Sequence, residues 1–160
     1  MEKARILGLK VPLDLERLAM ARGCDYYERQ LDLRDPPLEE VPLSNAELAV
    51  ALINPSLNPR AREIRLAAAL LGAMDESAAD VAALAQEEKC AGVVLYIASC
   101  GHRFEPGNAF WKALLDSLPD LSIDVEHLPH PTRFVEMTGI DRGRVGTFTR
   151  WIRARTPVPA

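Results

Sequence analysis

The sequence predicts a mainly α-helical chain, an antiparallel array of five or six helices with a small C-terminal β hairpin. Three observations carry that expectation. Residues 44–118 repeat the pattern of helix starts, a Ser or Asn cap followed by apolar residues at three- and four-residue spacing. The stretches between them are short and polar, which makes consecutive helices antiparallel neighbours. Beyond Pro119 the apolar period falls to two and Thr, Val, Phe and Trp become frequent, the signature of strands.

Taken in order, Ile6 to Val11 reads as a short extended piece, and Leu13, Leu15, Leu18 and Ala19 mark a helix that follows Pro12 and ends near Gly23. Residues 32–43 hold three prolines and four carboxylates and form an extended connector. Ser44 and Glu47 make a capping box for a helix reaching about Ile53, with Leu48, Leu52 and Ile53 on one face. Asn58 before Pro59 is an N-cap ahead of a first-turn proline, and Ile64, Ala67, Ala68 and Leu71 follow before Gly72. Ser77 and Asp80 open the next helix through Val81, Leu84 and Ala85, with Glu87-Glu88-Lys89 as its solvated end.

Residues 90–98 suit strand by composition, yet Cys90, Val94, Ile97 and Gly101 share a helical face, so helix is preferred with Gly101 as C-cap. Asn108 caps a helix from Ala109 to Leu118 with Phe110, Trp111, Leu114 and Leu115 apolar, and Pro119 stops it. Leu121, Ile123 and Val125 alternate with Ser122, Asp124 and Glu126 as in a half-buried strand, ended by Pro129 and Pro131. Arg133 to Thr138 and Arg144 to Ile152 flank Gly139 to Gly143 and form the hairpin. A basic helix over 144–155 is the alternative, for which Gly146, Thr147 and Thr149 make poor interior residues. The tail from Thr156 to Ala160 is expected to fray.

With 160 residues, 48% of them hydrophobic, the chain is read as one domain over 1–160, large enough for a core without metal or disulfide staples. Three cysteines are too few and of the wrong parity for a disulfide framework, which points to a reducing, cytoplasmic setting. Ile6 to Leu9 is too short for a signal-peptide core, and the apolar runs at 66–73 and 91–98 fall short of the roughly 20 residues that span a bilayer.

Charge is the sharpest functional signal. From residue 129 onward six arginines stand against Glu136 and Asp141, a net +4, whereas the first 128 residues carry −8. Residues 119–160 therefore form a basic region packed on an acidic helical body. The expected function is a non-enzymatic interaction or adaptor protein, with Arg142, Arg144, Arg150, Trp151, Arg153 and Arg155 receiving an acidic protein surface. Nucleic acid is the alternative partner, since arginine forks fit phosphate and Trp151 or Phe148 could stack on a base. A solubilising terminus whose arginines pair with the acidic body is the plainer reading.

Other chemistries are weaker. Cys90, Cys100, His102, His127 and His130 offer zinc ligands and are the residues on which an enzyme or metalloprotein would rest, but their spacing matches no standard site. No cofactor is expected. Ser99 to His102 lacks a nucleophile elbow, and Gly139, Gly143 and Gly146 match no phosphate-binding loop. Glu39-Glu40, Asp75-Glu76 and Glu87-Glu88 fall in connectors or at helix ends, where adjacent carboxylates stay solvated.

Overall fold

Caps and apolar faces set the element order of the computed structural model, which describes residues 1–24, 38–138 and 148–157. Among the described residues the seven α-helices are α1 (Glu2–Ile6), α2 (Leu13–Ala21), α3 (Asn45–Leu52), α4 (Ala61–Leu71), α5 (Ala78–Glu87), α6 (Ala91–Phe104) and α7 (Ala109–Ser117). Strands β1 (Val135–Thr138) and β2 (Phe148–Trp151) form a two-stranded antiparallel hairpin with Glu136 opposite Arg150 and Val135 opposite Trp151. The chain is thus mainly helical with a small C-terminal hairpin, as expected. Residues 32–37 of the connector, residues 139–147 and the end of the tail lie outside the described residues.

α3 is the centre. Leu48, Ala49, Val50, Ala51 and Leu52 are all at most 1% exposed, so the helix is apolar on nearly every side and must be wrapped. α4 packs against it and α2 contacts both, while α5 and α6 pack against α7. The Ser44 hydroxyl accepts from the Glu47 amide at 3.0 Å and the Glu47 carboxylate accepts from the Ser44 amide at 2.8 Å, the expected capping box. Ser77 caps α5 by accepting from the Asp80 amide, and Asn108 caps α7 by accepting from the Phe110 amide.

Residues 90–98 are helical. Cys90, Val94, Ile97 and Gly101 all face the core, but Gly101 lies inside α6 rather than capping it. A Cβ there would sit 2.3 Å from the ring of Trp111, so glycine is what lets α6 and α7 approach. Gly72, at the end of α4, admits Trp151 in the same manner, with a Cβ meeting its ring at 2.6 Å.

Four local expectations are corrected. Residues 2–6 form a helix, tied down by Lys3 on Glu47 and by the Met1 amine on Glu88, each at 2.7 Å, and irregular turns replace the extended piece before α2. Asn58 does not cap α4. It closes a 3-10 turn at Pro55–Leu57 with φ 49°, so the helix starts two residues later, where the Arg60 amide donates to Glu63 at 2.8 Å. Glu88 is not a solvated end, since it holds both the Met1 amine and the Asn54 amide group.

The fourth correction concerns residues 121–125, which form no strand. No described segment pairs with them, and Leu121 and Val125 are 41% and 56% exposed. Alternation prepares a strand, but ladder hydrogen bonds from a neighbour create it. Residues 131–134 likewise begin the hairpin as a 3-10 turn before β1.

The hairpin is anchored through β2. Trp151 is fully buried, donates its indole N–H to the Ala68 carbonyl at 3.0 Å, and packs in tilted ring contacts with centroids 4.9 Å from Trp111 and 5.4 Å from Phe134. Beyond it the Ala154 amide donates to the Ala69 carbonyl at 2.9 Å.

Candidate functional site

The basic residues beyond β1 divide by what already holds them. Arg150 projects from β2 opposite Glu136, with a 3.7 Å Nε to Oε1 contact between side chains 68% and 49% exposed. Such a surface pair contributes at most about 1 kcal/mol. Arg150 therefore meets solvent with most of its charge unspent.

Arg153 is placed differently. Its guanidinium nitrogen Nη2 sits 2.7 Å from both carboxylate oxygens of Glu105, and Glu105 also accepts from the Trp111 indole at 2.8 Å. That hub ties the C-terminal segment to the loop before α7. Trp151, one residue of the expected surface, is a core residue and its ring cannot stack on an exposed base. Arg142 and Arg144 lie outside the described residues.

Arg155 combines both situations. Its backbone is fixed, with the amide donating to the Arg22 carbonyl at 2.7 Å and its carbonyl accepting from the Asn45 side chain at 3.0 Å. Its side chain is exposed, donates to the Ala21 carbonyl, and lines a cleft of about 310 Å³ with Ala21, Arg22, Glu40, Thr156 and Pro157. Arg22 forms the cleft floor and is only 2% exposed. Its guanidinium donates to Asn45 at 3.0 Å, to the Leu43 carbonyl at 2.7 Å and to Glu40 at 2.5 Å, while its Nε has no partner. Glu40 is thus an anchor of the connector and not a freely solvated carboxylate.

The rival ligand set is dispersed among different roles. Burial, followed by the charge of Glu88, pushes the Cys90 thiol up to about 12, so it stays protonated and inert. Burial also raises the Cys100 thiol, with Tyr96 and Arg103 opposing. His102 Nδ1 is buried without a partner, His127 is exposed, and His130 caps the 3-10 turn at Pro131–Phe134 through Thr132. Among the described residues no three His, Cys, Asp or Glu side chains are grouped as metal ligands.

One buried acidic site gave no sequence signal. Glu16 of α2 faces Arg62 and Glu63 of α4; burial first, then a hydrogen bond with Glu63, pushes its carboxyl up to about 7 against the pull of Arg62. Burial also works against the charge on Glu63, but hydrogen bonds from Glu16 and the Arg60 amide hold that carboxyl below its ordinary value. The two carboxyls are thus shifted in opposite directions across the α2–α4 contact. Arg22 was equally illegible, because a lone arginine at a helix end has no periodicity to announce its burial.

Among the described residues no helix is long and apolar enough to cross a membrane. No known protein family matches this chain, and neither does any curated protein sequence or any solved structure.

Proposed function

We propose that the chain is a non-enzymatic interaction protein that receives an acidic protein surface on its basic C-terminal face, with Arg150 and Arg155 as the described contacts. The carrying observation is the exposure of Arg150 on a +4 segment attached to a −8 body. A carboxylate brought to Arg150 displaces only a weak, solvated pair, so docking there costs little of the fold's own stability. The cysteines Cys24, Cys90 and Cys100 are buried and form no disulfide, which supports a reducing, cytoplasmic setting.

Fluorescence anisotropy with labelled hexaglutamate and with a mixed-sequence oligonucleotide separates the partner classes. The expected result is salt-sensitive binding of the peptide that weakens at least about fivefold in the Arg150→Ala, Arg155→Ala double variant. Micromolar oligonucleotide binding at physiological salt, with a log–log salt slope that flattens by about one per arginine removed, would replace this reading with nucleic-acid binding.

A further inference from the structure

We infer that residues 120–126 are a docking strand whose occupant is the edge of β2 away from β1 in a second copy of this chain. The inference rests on the basic face being an interaction surface and names its partner. Residues 121–126 have the alternation of a strand, and Leu121 and Val125 are left exposed. Among the described residues no backbone hydrogen bond joins positions 119–124 to another segment, while at the C-terminal end the Glu126 amide is taken locally by Asp124 at 3.1 Å and the Val125 carbonyl accepts from the Leu128 amide at 3.1 Å, so the open backbone lies before Val125. A stretch with strand patterning, open backbone groups and exposed apolar side chains is completed by adding it to a sheet edge.

Charge selects the edge. Asp120, Asp124 and Glu126 fall in this stretch with no basic residue among them. Two copies of it paired antiparallel about Asp124 would set carboxylates opposite one another, which opposes self-pairing. β1 is unsuitable too, because its outward residue is Glu136. β2 carries Arg150 outward and Trp151 inward, and among the described residues it pairs with β1 alone; on its other edge the Trp151 carbonyl accepts from Arg153 Nη1 at 3.3 Å, a neutral-acceptor contact that an added strand would share or displace.

A strand added along β2 matches both faces at once. Asp124 and Glu126 then share the face of Arg150, while Leu121, Ile123 and Val125 share the face of Trp151, toward the helical body. The acidic stretch of one copy and the basic hairpin of the next are thereby complementary in charge and in period. One short strand buries little area, so the association is weak and salt-dependent.

Sedimentation velocity between about 10 and 500 µM protein tests the pairing, a range suited to an interface at the small end of specific contacts. Wild type should self-associate reversibly, and raising the salt to about 1 M should weaken it. Asp124→Arg with Glu126→Arg should weaken association by at least about tenfold, and Arg150→Glu added to that background should restore it. Val125→Lys, at an exposed site, should weaken it without changing the circular dichroism spectrum. A wild type that stays monomeric throughout, or charge-reversed variants that associate as wild type does or are not rescued by Arg150→Glu, would overturn the inference. The hexaglutamate titration decides the basic surface separately, since it needs no second copy.

Discussion

Arg22 shows how much of this molecule turns on single polar residues. It joins the end of α2, the connector at Glu40 and Leu43, and the start of α3 at Asn45, which in turn holds the backbone of Arg155. Replacing Arg22 by Met removes the donor and leaves the Asn45 and Leu43 oxygens buried and unmatched. The expected loss is about 3 kcal/mol in chemical denaturation, against less than about 1 kcal/mol for Arg150→Ala at the surface. Equal losses would mean that Arg22 is not the knot described. Glu16 adds a pH dependence of defined sign. Its folded pKa near 7 lies above its ordinary 4.5, so its contribution is full below about 4.5 and is lost as pH rises through 7. Glu63 is shifted the other way, and its contribution is lost only as pH falls below the ordinary carboxyl range. The denaturation midpoint should therefore decline between about pH 5 and 8, and Glu16→Gln should flatten that decline. A slope unchanged in the variant would show that Glu16 does not set it.

At the scale of elements, legibility followed whether the signal was local. Ser44, Ser77 and Asn108 cap their helices as their spacing indicates, because a cap is satisfied by residues two or three positions away. Asn58 misled because Asn is equally at home in the left-handed conformation that closes a turn. The helix at Glu2–Ile6 is too short to stand alone and forms through ion pairs with Glu47 and Glu88, partners distant in sequence. Residues 121–125 have strand alternation without a strand, because pairing is a property of the neighbour. Gly101 was visible as a glycine but not as a contact point. Gly101→Ala should gain helix propensity of about 1 kcal/mol and lose more to the clash with the immobile Trp111 ring, a net loss of roughly 1–2 kcal/mol. An increase in melting temperature would contradict that close approach.

For the whole molecule, the division of charge between body and C-terminal segment was plain in the sequence, but the division of labour among its arginines was not. The count of basic residues could not distinguish Arg153, spent on Glu105, from Arg150, exposed beside a distant Glu136. Nor could composition show that Trp151 is the aromatic anchor of the hairpin and not part of its surface. The central claim is that Arg150 and Arg155 serve a partner while Arg153 serves the fold. Its most direct measurement pairs a thermal melt with hexaglutamate titration for Arg150→Ala with Arg155→Ala and for Arg153→Ala. The double variant should melt within about 4 °C of wild type and lose peptide binding, whereas Arg153→Ala should melt lower and keep it. Wild-type peptide affinity in the double variant, or loss of affinity confined to Arg153→Ala, would contradict the claim.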